Sequence, residues 1–225
     1  MQGAVASALD AKAQKSPLDG MIMLQSPGRL NIKTPNGITL GGIQSWYPIE
    51  WQCRAGCGPT TASLLFWYLA QTRASCEALC SFDATTKEGF IRLMQETWQH
   101  VRPGFRGLNK TSMMVDGALS YAKARGVALK CEVLEVPPLL SARPKPDEMR
   151  AFLVSAIQND LPVAFLNLSN GKLKNLDGWH WVTLVGIDPE NATALMYDQG
   201  AQVIIDLDLW LQTTLIGGGF VMFRC

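Results

Sequence analysis

The stretch Gln52-Cys53-Arg54-Ala55-Gly56-Cys57-Gly58-Pro59-Thr60-Thr61 runs directly into an apolar block from Ala62 to Ala70. This pattern reads as a tight loop that delivers a cysteine to the first turn of a buried helix. Gly56 and Gly58 let the backbone bend around Cys57. Pro59 suits a first helical turn, where its missing N–H costs nothing. A thiol placed there meets unpaired N–H donors and the positive end of the helix dipole, which favour thiolate, the nucleophilic form. Cys57 is therefore the candidate nucleophile. The competing reading is a cysteine buried as a small hydrophobe. The block after Cys57 is apolar on nearly every face, so the expected helix, Pro59–Ala74, lies centrally.

Working outward, Ile43–Trp51 alternates and holds three aromatics, which predicts an irregular strand leading into the cysteine loop. Thr85-x-x-Glu88 reads as a capping box opening a helix over Thr85–Val101. A third helix is expected over Ser112–Arg125, stopped by Gly126. Val127–Val136 reads as a strand and Asp147–Asn159 as a helix. Pro162–Leu168, Trp179–Ile187, Thr193–Asp198 and Phe220–Arg224 are strand-like, with Ala201–Asp206 a further strand. Helices first and a mostly antiparallel sheet later make an α+β layout. Residues 1–42 stand apart as an arm: Met1–Lys15 is Ala-rich, and Ser16–Gly42 is extended and turn-rich. Residues 43–225 form one domain, with a helical half over about 43–126 and a sheet half over about 127–225. Gly41-Gly42 reads as a turn rather than a processing site.

Only two histidines occur, His100 and His180. His100 ends a helix. His180 opens the strand that follows Gly178-Trp179. Folding that strand onto Thr193–Asp198 about Pro189–Glu190 places His180 opposite positions 198 to 200. A carboxylate there, Asp198, fixes the imidazole tautomer and stabilises the imidazolium. Asp188 lies at the far end of the same strand and is a poor partner. The backbone N–H of Cys57 and the side chain of Gln52 are the candidate oxyanion donors. Trp179 and Trp181 flank the histidine as candidate substrate-binding walls, or as plain core.

Gln-x4-Cys-Gly-Pro-Thr at the head of a helix, then His-x-Val-x-Leu-x-Gly and a later Tyr-Asp, resembles the papain-like cysteine peptidases. The branch it resembles most is the bacterial peptidases related to the double-glycine leader peptidases of bacteriocin exporters. The resemblance implies Cys57 as nucleophile, His180 as general base, Asp198 as orienting residue and Gln52 as oxyanion donor. It also implies a helical half carrying the cysteine and a sheet half carrying the histidine and aspartate. In that family the glutamine usually stands one residue further from the cysteine than Gln52 does here. The implied activity is hydrolysis of a peptide or amide substrate. The same parts would serve acyl transfer to an amine, and a papain-like domain also serves as an inactive binding module.

The totals exclude several other classes. A net charge of +1 with no basic stripe argues against a nucleic-acid partner. No stretch is long and apolar enough to span a membrane, and no nucleotide-binding motif accompanies the chain as it would an exporter. No cofactor is expected. The first 30 residues lack a signal-peptide pattern, so the expectation is a cytoplasmic chain. The six cysteines are too few for a disulfide scaffold in 225 residues. Cys53-x3-Cys57 and Cys76-x3-Cys80 resemble the halves of a zinc site, but polar turns are missing around them, and no metal is expected. Cys76 and Cys80 are instead expected as buried thiols near a helix end. Arg102–Lys110 and Asn167–Asp177, with Gly104, Gly107 and Gly171, are candidate cleft rims.

Overall fold

A computed structural model describes residues 18–225. The expectation for Met1–Lys15 lies outside the described residues. The N-terminal part is helical and the C-terminal part is a mostly antiparallel sheet. The helices are α1 (Glu50–Ala55), α2 (Cys57–Thr72), α3 (Lys87–Trp98), α4 (Thr111–Ala124), α5 (Pro146–Gln158) and α6 (Leu207–Thr213). The strands are β1 (Ile22–Met23), β2 (Asn31–Thr34), β3 (Gly37–Leu40), β4 (Lys130–Val136), β5 (Val163–Asn167), β6 (His180–Asp188), β7 (Thr193–Asp198), β8 (Ala201–Asp206) and β9 (Gly218–Arg224).

The main sheet runs β4-β9-β5-β6-β7-β8, every neighbour antiparallel. β6 is its spine, buried at all nine positions. On one edge β5 pairs with His180 to Leu184, and β1 takes over at Gly186 and Ile187. A Cβ on Gly186 would meet the Met23 sulfur at 2.3 Å, so the glycine admits β1 against the strand. Residues 22–40 therefore pack on the body: Leu24, Leu30 and Ile32 are buried, and β2 and β3 form a hairpin.

α2 is buried from Gly58 to Ala70 and lies against β5, β6, α3 and α4. Each Leu or Phe buried this way contributes about 1.5–3 kcal/mol. The helix ends where Arg73 leaves the helical region and its N–H closes on the Leu69 carbonyl. Beyond it, Tyr68 donates its hydroxyl to Asp160 Oδ1, and the Gln25 N–H donates to the same oxygen at 2.8 Å. That carboxylate ties α2, the N-terminal segment and the α5–β5 turn together.

Several sequence expectations change. Ile43–Trp51 is not a strand: Gln44–Trp46 makes one 3-10 turn, and α1 begins at Glu50. Thr86, not Thr85, caps α3, accepting from the Gly89 N–H at 3.2 Å. The reason is a contact from far along the chain: the Thr85 carbonyl is engaged by the Lys33 N–H at 2.7 Å. Cys76 is not a free thiol. It forms a disulfide with Cys225, 149 residues away, so the four N-terminal cysteines do not form a ligand set. Cys80 is free and buried. No helix among the described residues is long and apolar enough to cross a membrane.

Candidate active site

Cys57 is the first residue of α2, and Gly56 is the joint between α1 and α2. A Cβ on Gly56 would lie 2.4 Å from the Gln52 carbonyl oxygen and 2.5 Å from the Tyr47 ring. Only glycine permits that close turn. Gly58 is held for a different reason, since a Cβ there would meet Leu108 at 2.4 Å. No side chain caps α2, so its first-turn N–H groups have no side-chain acceptor.

His180 is the first residue of β6, opposite Asn167 of β5. Asn167 is fully buried. It donates its side-chain N–H to the Asp177 carbonyl and accepts from the Trp210 indole N–H at 2.7 Å. The loop entering His180 is thus pinned from the neighbouring strand. Trp179, just before it, holds a left-handed φ of +55°.

Asp198 ends β7. The two-residue turn Gln199-Gly200 then reverses the chain, with φ of +47° and +83°. That turn has the twist that suits a tight hairpin, and glycine is the natural second residue. The Leu40 N–H donates to the Gly200 carbonyl at 2.9 Å, so β3 braces the turn. The pairing of β6 with β7 shifts between Leu184 and Gly186.

These elements bring the three side chains together. Asp198 Oδ1 lies 2.7 Å from His180 Nε2. Cys57 borders the same narrow crevice as His180 and Asp198. With Nε2 engaged by Asp198, Nδ1 is the ring nitrogen left available. His180 and Asp198 are mostly buried, at 11% and 17% side-chain exposure. Burial pushes the imidazole pKa down. The hydrogen bond to Asp198 and its negative charge, with the neighbouring Cys57, outweigh burial and lift it to about 10. His180 is therefore an imidazolium at neutral pH.

The other sequence candidates separate. Gln52 is buried on α1, and its Oε1 makes no hydrogen bond among the described residues. It does not line the cavity of about 480 Å³ beside Cys57, whereas Trp51 and Arg54 of the same helix do. Trp179 lines that cavity and is half exposed. Trp181 does not: it is 2% exposed and its indole N–H donates to the Leu108 carbonyl, and it borders only the narrow crevice that holds Cys57, His180 and Asp198. Of the expected rim loops, Phe105 to Leu108 line the cavity, but only Leu168 comes from the second. Gly171 faces away from it, against Thr213 of α6. His100 is distant in role as well, bonded through Nδ1 to Ser120 at 2.9 Å.

Trp51 and Arg54 carry no motif and were not legible as site residues, whereas Phe105 and Arg106 lie in an expected rim loop. The brace from Leu40 to Gly200 also left no sequence signal, because it joins segments 160 residues apart. The chain matches no protein-family model and no curated protein.

Proposed function

We propose that the protein is a cysteine-dependent hydrolase of peptide or amide bonds, of the papain-like kind that its motifs resemble. One observation carries this reading: His180 Nε2 lies 2.7 Å from Asp198, and Cys57, at the head of α2, borders the same crevice. That arrangement favours a protonated imidazole beside the candidate nucleophile.

The steps follow from the geometry. The Cys57 sulfur attacks the substrate carbonyl carbon, and the carbonyl π electrons move to oxygen. First-turn N–H groups of α2, including that of Cys57, are the candidate donors to the developing oxyanion. Gln52 of α1, across the Gly56 joint, is the side-chain candidate for a further donor. The C–N bond then breaks as the imidazolium gives its proton to the leaving amine. Water, deprotonated by the neutral imidazole, attacks the thioester and regenerates the thiolate. Asp198 keeps the ring oriented throughout.

The Cys76–Cys225 disulfide favours an oxidising compartment over the cytoplasm expected from the sequence, since such bonds persist where thiols are not kept reduced.

The test is trapping. Wild type and Cys57→Ser are incubated with a peptide library, and products and adducts are read by mass spectrometry. A thioester-linked acyl group on Cys57, and cleavage products that need Cys57, are expected. Product spectra identical for the two proteins would overturn the reading.

A further inference from the structure

The cavity of about 480 Å³ beside Cys57 is lined by Trp51, Phe105 and Trp179 and by Arg54 and Arg106, with no carboxylate among its lining residues. It touches Cys57 but not His180. The leaving amine must pass the imidazole that protonates it. The group held in this cavity is therefore the part that stays on sulfur, the acyl portion.

Its walls are unusual for a protein surface. Phe105 is 97% exposed, Trp179 50% and Trp51 48%, so three large aromatic side chains offer about half or more of their surface to a ligand. They are held in place rather than loose. Gly104 and Gly107 exchange both backbone hydrogen bonds, at 3.1 and 2.9 Å, and present Phe105 and Arg106 at the tip of a tight turn. Gly107 closes that turn with a φ of +71°. Trp179 is fixed by a left-handed backbone that costs about 1–3 kcal/mol. Trp51 and Arg54 stand three residues apart on α1 and so share a face.

The charge is one-sided. Arg54 is already paired with Glu50 at 2.6 Å, but that pair is exposed and weak. Arg106 makes no salt bridge among the described residues. A guanidinium beside aromatic faces accepts a carboxylate in fork geometry while the rings take an apolar body.

We propose that this cavity selects acyl donors in which a bulky aromatic side chain stands next to an acidic one, with Phe105 and Arg106 as the specificity-determining residues. The proposal rests on the hydrolase reading for calling the bound portion acyl, but its recognition chemistry is testable apart from turnover.

Binding is measured by calorimetry on the full chain carrying Cys57→Ala. The probes are acetyl-Glu-Phe-amide and acetyl-Phe-Glu-amide, with Lys replacing Glu and Ser replacing Phe as controls. At least one acidic-aromatic probe is expected to bind about tenfold more tightly than its Lys and Ser counterparts, a difference of about 1.4 kcal/mol. The preference for Glu over Lys is expected to shrink with added salt and to disappear in Arg106→Ala. Phe105→Ala should remove the preference for Phe over Ser and leave the charge preference in place. Both variants alter exposed side chains, so folding is retained. Equal affinity for Glu and Lys probes would overturn the proposal. Alkylation of Cys57 in the unmodified protein separates the two ideas. An activated thiol with no discrimination among probes removes the specificity proposal alone. Discrimination with an unactivated thiol removes the hydrolase reading and leaves a binding cleft.

Discussion

Asp198 Oδ1 stands 2.7 Å from Nε2 of His180, and the turn that carries Asp198 is held by the Leu40 N–H on the Gly200 carbonyl. The imidazolium is thus set by elements far apart in sequence. Its raised pKa has a definite sign. The pair contributes stability in full below the unfolded histidine value of 6.5 and loses it as pH rises through about 10. In Asp198→Ala the ring loses its main partner. The alkaline limb of the rate profile should then move down by at least one pH unit, and the histidine resonance should titrate correspondingly earlier by NMR. An unchanged titration in Asp198→Ala would contradict the assignment.

Gly56→Ala tests the joint before the nucleophile. Its Cβ would meet the Gln52 carbonyl and the Tyr47 ring, neither of which can yield freely. A loss of about 1–3 kcal/mol of stability is expected from this overpacking, measured by urea unfolding. Cys57 alkylation should slow with it, because the turn that aims the sulfur is displaced.

Much of this site was legible because it rests on local chemistry. The Gly-Cys-Gly-Pro sequence marks a turn into a helix whatever surrounds it, and the all-apolar run after it announces burial. The β6–β7 pairing followed from two strand-like runs and a short connection, which put His180 and Asp198 at the same end. What stayed hidden was non-local or short. β1 has two residues and exists only because β6 offers it an edge. α6 is seven residues long and depends on its Asp206 cap, which accepts from the Leu209 N–H at 2.8 Å, and on the burial of Trp210. The cap of α3 moved because a β2 contact claimed the neighbouring carbonyl. The Cys76–Cys225 bond joins residues with no shared motif.

That disulfide closes a long loop in the unfolded chain. Cys225→Ala should lower stability by about 2–4 kcal/mol, seen as a drop in the urea midpoint. Cys57 reactivity should be unaffected, because neither disulfide partner borders the cavity beside it. Retention of wild-type stability would show that the bond constrains little.

Asn167 is a positioning residue. Replacing it with Ala leaves the Asp177 carbonyl without its side-chain donor and removes one of two acceptors of the Trp210 indole. A cost of about 1–3 kcal/mol is expected. The rate constant for turnover should fall more than the substrate affinity, since the loop that aims His180 loosens while the cavity walls remain. A purely structural role would lower stability and leave that ratio unchanged.

The central claim is that Cys57 and His180 form a thiolate–imidazolium pair. The most direct measurement is the alkylation rate of each free cysteine against pH, read by peptide mass spectrometry in wild type and His180→Ala. The account predicts that Cys57 reacts rapidly even near pH 6, where an ordinary thiol with a pKa of about 8.5 is almost wholly protonated. It also predicts that this advantage is lost in His180→Ala. If Cys57 instead follows the same pH curve as Cys131 in both proteins, no such pair exists in the folded chain and the account fails.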